Sequence, residues 1–240
     1  MFDRLLVVFA RAPRSEARDK GLPEEPASGF FGAILQEWRE AARLVGARVA
    51  ISAPPEDLLA WRRTLPDADD VSWISQRGGS FGTRLEDTSR RASRLARHVV
   101  VTGGDVLPTP LALCAAFGAL ASGADAVIAP APDGGVSLIA LPTRDLDLLR
   151  SIAPRRRDVF ARLRDALRAR RRQVAVAATA SEVDGRRQLR SVLQSLPAFL
   201  HAAARRALRR PRRVFPELRF LFDPSDRISP TSLRAPPAAA

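Results

Sequence analysis

Short apolar runs rich in valine and isoleucine alternate along this chain with longer amphipathic stretches, and that alternation constrains its fold more than any other feature. Period-2 and uniformly apolar segments predict strands at Leu5–Phe9, Arg48–Ser52, Val71–Ser75, His98–Val101, Ala126–Ala129, Ser137–Leu141 and Gln173–Ala177. Between them, helical spacing predicts helices at Phe30–Val45, Glu56–Leu65, Gly82–Arg97, Pro108–Ser122, Asp158–Arg171 and Gly185–Leu196. Strands that are apolar on both faces, separated by helices, belong in a parallel sheet covered on both sides. The expected architecture is therefore an open, mostly parallel α/β sheet over residues 1–196. Such sheets take ligands beyond the carboxyl ends of their strands.

Beyond this domain the pattern changes. Residues 197–222 are apolar on one side and arginine-rich on the other, which suggests a basic amphipathic helical extension, and residues 223–240 have the composition of a disordered tail. Residues 1–150 carry 18 basic and 19 acidic side chains, whereas residues 151–240 carry 21 and 7. The net charge of +13 thus comes from the C-terminal part, where a basic surface could meet an anionic membrane. A single lysine, Lys20, stands against 38 arginines, a skew consistent with genomic base composition. No nucleic-acid recognition motif occurs, and no apolar run reaches the roughly 18–20 residues of a membrane span. One cysteine, Cys114, excludes an internal disulfide and fits an apolar helix face. A cytoplasmic setting is expected, with a membrane-peripheral one as the alternative.

Candidate chemistry lies in five segments. In HVVVTGGDVLPTP, Gly103 and Gly104 bring the backbone sharply to Asp105, at the carboxyl end of a strand. A carboxylate there suits Mg²⁺ or Mn²⁺ with phosphates; it equally suits a helix cap before Pro108. In PAPDGGVSLIAL, Asp133, Gly134 and Gly135 form either a hairpin turn or a loop that leaves room for a sugar. QRGGSFGTRL places glycines before a helix start, with Gly82 and Arg84 in an anion-favouring position. In SEVDGRRQL, Asp184 is an N-cap or a second metal carboxylate. Finally, ARAPRSEARDKGLP (10–23) reads as a long basic loop after the first strand, carrying Arg11, Arg14 and Lys20.

The order of these five segments resembles a known family: the bacterial GT-A-like glycosyltransferases named for arsenosugar biosynthesis and long known only as a domain of unknown function. They are distant relatives of the molybdenum-cofactor and lactyl-phosphate nucleotidyltransferases. The resemblance spans about residues 4–196. It implies a nucleotide-diphosphate-sugar donor, an acceptor the motifs do not identify, and a divalent cation on Asp105 with Asp184. It also implies a sugar contact at Asp133 with Gly134 and Gly135, and nucleotide contacts from the first loop and the Gly82–Arg84 pair. A nucleotidyltransferase, or a non-catalytic binding or membrane-peripheral relative, is the alternative. The chain departs from the family pattern at several places. The loop's Lys-Thr-Arg becomes Asp19-Lys20-Gly21, the Ser-Pro after the strand-end acid becomes Val106-Leu107, the Tyr after Asp-Gly-Gly becomes Val136, and the last motif's Thr becomes Gly185.

Overall fold

The computed structural model describes residues 1–65, 68–153, 156–183, 185 and 189. Asp184, the helix expected at Gly185–Leu196 beyond its two described residues, the basic extension and the tail lie outside them. Seven strands form one sheet: β1 (Phe2–Phe9), β2 (Arg48–Ala53), β3 (Val71–Ser75), β4 (Ala96–Gly103), β5 (Ala126–Pro130), β6 (Val136–Ala140) and β7 (Val174–Val176). Their spatial order is β3-β2-β1-β4-β6-β5-β7. All pairings are parallel except those of β6, which runs antiparallel to both β4 and β5.

The helices are α1 (Pro13–Asp19), α2 (Glu24–Leu44), α3 (Pro55–Thr64), α4 (Phe81–Ala92), α5 (Pro110–Ala121) and α6 (Val159–Ala169), with a 3₁₀ segment at Thr143–Ser151. They cover both faces of the sheet. Alternate residues of β1 serve opposite cores, as the two-residue side-chain period requires. Leu6 and Val8 pack with Phe31, Trp38 and Phe117 on one face, and Leu5 and Val7 with Leu85, Leu146 and Leu163 on the other. No described helix is long and apolar enough to cross a membrane.

Three local expectations need correction. Residues 13–19 are not loop but α1, begun by Pro13 at its first turn. The helix expected to run to Arg97 stops at Ala92, because β4 begins at Ala96 and pairs with Phe2. Cys114 is exposed rather than in the core. Helix α5 buries Ala112, Leu113, Ala116 and Phe117, and position 114 falls off that stripe.

Candidate functional site

The strand ends of β1 and β4 are held together by glycine. Phe9 pairs with Gly103, and the Gly104 amide donates to the Phe9 carbonyl at 3.1 Å. A Cβ on Gly104 would collide with the side chain of Ala10, and one on Gly103 with the carboxylate of Asp105. The two glycines thus bring adjacent strand ends together and leave Asp105 room to turn into the cleft above them.

Past Asp105 the chain is anchored rather than free. Val106 is buried, its carbonyl accepts from the Trp38 indole at 3.0 Å, and it bridges to Glu182 in an antiparallel contact. The Val183 amide donates to Asp105 O and the Leu107 amide to Ser181 O. The apolar residues that replace the family's Ser-Pro are therefore packing residues that fix the segment after Asp105 from below.

Helix α1 supplies the opposing wall. It ends in a Schellman arrangement: Leu22 N–H donates to Ala17 O and Gly21 N–H to Arg18 O, with Gly21 at φ +62°. Glycine at 21, where the family carries arginine, is what that left-handed turn favours. The preceding Lys20 is thereby aimed at the strand end, where its Nζ lies 2.6 Å from Asp105 Oδ2 and 3.3 Å from Glu16 Oε1. Helix α1 is tied to α3 by Ser15 Oγ donating to Asp57 at 2.9 Å. Arg11 pairs with Asp19 and reaches Asp57 at 3.6 Å. Glu16 is one of the cleft residues that the sequence did not single out. Burial, with the charge of Asp105 adding to it, pushes its carboxyl up to about 7 against the pull of Lys20.

Helix α4 forms a third side. Ser80 and Thr83 make a capping box, and Gly78, at φ +126°, turns the chain into it. Arg84 lines the cleft from the first turn, and its Nε is buried without a hydrogen-bond partner. Gly82 faces away from the cleft, where a Cβ would strike the carbonyls of Leu149 and Arg150; it allows α4 to pack on the 3₁₀ segment.

The β5–β6 hairpin closes the far side. Asp133 Oδ1 accepts from the Gly135 amide at 2.8 Å, an Asx turn, so the turn reading of this motif applies. Gly134 lies at φ +90°, and a Cβ there would collide with the backbone of Arg157. The hairpin tip is thus pressed against the segment leading into α6, and Phe160 N–H donates to Gly134 O at 3.1 Å. Asp133 and Gly135 still line the cleft.

Together these elements enclose a cleft of about 960 Å³ at the carboxyl ends of β1 and β4, at the upper end of the range for small-molecule sites. The structure brings Arg11, Lys20, Arg84, Gly103, Gly104, Asp105, Asp133 and Gly135 to it, together with Glu16, Gln76, Arg156, Arg157 and Glu182. Gly134 supports the hairpin beside it, whereas Arg14 and Gly82 are not among the residues that line it. The walls combine cations fit for phosphates with acids and amide groups fit for hydroxyls.

Of the two carboxylates expected to hold a divalent cation, only Asp105 is among the described residues; Asp184 lies outside them. No group of three or more His, Cys, Asp or Glu side chains is placed to hold a metal among them. Asp105 already carries the Lys20 ammonium at 2.6 Å. Two unit charges 4 Å apart interact by about 4 kcal/mol at an effective dielectric of 20, so a doubly charged ion beside that ammonium would face roughly twice that repulsion.

Comparisons with solved structures find this fold repeatedly. A provisionally assigned nucleotide-diphospho-sugar transferase from Desulfovibrio desulfuricans G20 superposes with a TM-score of 0.76 at 20% identity, covering 92% of this chain and 97% of that one. Rv0371c of Mycobacterium tuberculosis H37Rv, solved in complex with manganese, gives 0.54 at 16% identity over 81% of this chain and 100% of that one. The inositol-1-phosphate CTP transferase of T. maritima gives 0.54 at 9% identity over 86% and 97%. At such identities the likeness concerns the fold. No curated protein matches the sequence. A family model described as an uncharacterized protein conserved in bacteria (DUF2064) matches residues 37–154.

Proposed function

We propose that this chain, whose central segment belongs to DUF2064 and whose sheet is that of the nucleotide-diphospho-sugar transferases, is a glycosyltransferase that takes its sugar from a nucleotide diphosphate. The observation that carries the reading is the cleft itself: the sides formed by α1 and α4 supply Arg11, Lys20 and Arg84, and the hairpin side supplies Asp133 and Gly135. Arg84 is the main phosphate contact. Its orphaned Nε and its place in the first turn of α4 suit an anion that accepts from the guanidinium and meets the positive end of the helix.

In this reading the sugar lies toward Asp133, and the diphosphate lies between α4 and α1. Transfer breaks the bond between the anomeric carbon and the diphosphate oxygen, whose electron pair stays with the diphosphate. The acceptor oxygen bonds to that carbon, and its proton is released to water. Cationic side chains fixed before the reaction stabilise the charge that develops on the leaving group. Nucleotidyl transfer on the same cleft is the second reading, favoured by the likeness of the sheet to the CTP transferase; fold alone does not choose between them.

Thermal unfolding in the presence of UDP- and dTDP-sugars tests the proposal. Stabilisation by a nucleotide sugar that exceeds that of the free sugar, and that Arg84→Met abolishes, is the expected result. No shift with any nucleotide would rule the reading out. Release of free nucleoside diphosphate rather than pyrophosphate during turnover separates glycosyl from nucleotidyl transfer.

A further inference from the structure

The cleft contains an arrangement that a metal-dependent phosphate site does not need. Lys20, the only lysine in the chain, places its ammonium between two carboxylates, 2.6 Å from Asp105 Oδ2 and 3.3 Å from Glu16 Oε1. All three side chains are largely withdrawn from water, with 11% of Lys20, 17% of Glu16 and 22% of Asp105 exposed. The lysine is not a flexible surface cation that swings in. It follows the last turn of α1, whose end is fixed by the Schellman bonds of Gly21 and Leu22 and whose body is fastened to α3 through Ser15 and Asp57. Ion pairs held in this way keep their geometry because little side-chain entropy remains to be lost.

We propose that the Lys20 ammonium is a tethered cation that fills the place between Glu16 and Asp105 where a divalent ion would otherwise sit, so that this chain binds the diphosphate of its donor without a metal. The proposal rests on the nucleotide-sugar reading above for the identity of the ligand, but not for the occupancy of the cation position. The charge balance supports it. A hard divalent ion of the magnesium type binds through one or two carboxylates plus phosphate oxygens, and among the described residues Glu16 and Asp105 are the two carboxylates paired with Lys20. Their inner side is taken by a cation that cannot dissociate. An ammonium is a compact point charge that binds phosphate well. With Arg11 and Arg84 also lining the cleft, three cationic side chains face the diphosphate position.

Titration of the full chain with Mn²⁺ alone, followed by the electron paramagnetic resonance of the free ion, reads the cation position without any nucleotide. The wild type is expected to leave the Mn²⁺ signal unchanged. Lys20→Met, which unmasks both carboxylates, is expected to bind Mn²⁺ about tenfold or more tighter, and adding Asp105→Asn is expected to cancel that gain. Lys20→Arg retains a cation and is expected to behave as the wild type. Wild-type binding as tight as that of Lys20→Met would overturn the proposal, and so would a folded Lys20→Met chain that gains no site. Should Lys20→Met fail to fold, the wild type and its Asp105→Asn variant decide: a wild-type Mn²⁺ site that Asp105→Asn removes overturns the proposal. A second arm measures thermal stabilisation by a UDP-sugar in EDTA and in Mn²⁺. Equal shifts are expected. A shift that requires Mn²⁺ overturns the tethered cation and keeps the transferase; no shift in either contradicts the transferase, while the Mn²⁺ titration still decides the cation position.

Discussion

Two groups of buried acids, one at each end of the sheet, are treated in opposite ways. Asp145, in the 3₁₀ segment, is 1% exposed, and its carboxylate accepts from Arg170 at 3.0 Å and from Arg172 at 2.6 Å, with Arg144 at 4.0 Å. Burial works against its charge, yet hydrogen bonds from Arg172 and Arg170 more than offset that, so its carboxyl is held below the usual carboxylate range. At the cleft, Glu16 and Asp105 share Lys20, and Glu16 is pushed the other way. In the first group three acids meet three arginines, with Asp145 shared by Arg170 and Arg172 while Asp147 also holds Arg170 and Asp125 holds Arg144; in the second, two acids share one ammonium. The first arrangement saturates a charge and fastens elements together. The second leaves an imbalance facing an open cleft, a marker of functional sites.

Substitutions that separate stability from binding can break this comparison. The largest effect is expected from Asp145→Asn, which leaves Arg170 and Arg172 without their shared carboxylate. Removing one partner of a fully buried pair costs about 3–5 kcal/mol; here the arginines left behind are 35% and 22% exposed and Arg170 keeps Asp147, so the expected loss in urea unfolding is about 2–3 kcal/mol. Equal stability of mutant and wild type would remove the structural role. In the wild type this contribution is present above the unfolded carboxyl pKa and is lost as pH falls through the lower folded one.

Next in size is Gly104→Ala, whose added methyl meets Ala10. A cost of about 1–3 kcal/mol is expected from overpacking, accompanied by loss of nucleotide stabilisation because the β1 and β4 ends must separate. Retained ligand response in a destabilised protein would show that the close approach serves packing alone.

Glu16→Gln probes the other side of the comparison. A carboxyl whose folded pKa is raised from 4.5 to about 7 binds its proton more tightly in the folded state. It therefore lowers stability as pH rises through that interval, with the full penalty present above about pH 7. The wild type should lose stability between pH 4.5 and 7 that Glu16→Gln retains; parallel curves for the two proteins would contradict the assignment. The smallest effect is expected from Asp133→Ala, which removes one exposed Asx-turn hydrogen bond worth about 1 kcal/mol and should weaken sugar-nucleotide binding more than it weakens the fold.

Much of the sheet was legible because its strands are uniformly apolar and its long helices periodic. Val71–Ser75 matches the expectation to the residue, and α2 carries the expected apolar stripe through Phe31, Ile34, Leu35, Trp38 and Ala42. The antiparallel setting of β6 could be read only as a turn between two strands, since an Asp-Gly-Gly turn does not announce which neighbour its second strand joins. Helix α1 was hidden because seven residues, mostly charged, bury only Pro13 and Ala17 and show no period. Glu16 was hidden with it: an acid in a basic segment gives no sign that a helix will turn it inward beside an aspartate 89 positions away. The place of Asp105 at the cleft was legible because glycines before an acid at a strand end are a local signal. Lys20 stands out in the sequence through its place in the first-loop motif, but its contact with Asp105 depends on Gly21, whose left-handed turn is visible only in the folded chain.

The most direct test of the account is a crystal structure of the full chain grown with a UDP- or dTDP-sugar. The account expects the diphosphate between Lys20 and the first turn of α4, with Arg84 on its oxygens and the sugar toward Asp133. A nucleotide bound away from the carboxyl ends of β1 and β4, or one whose diphosphate avoids both Lys20 and Arg84, would contradict it.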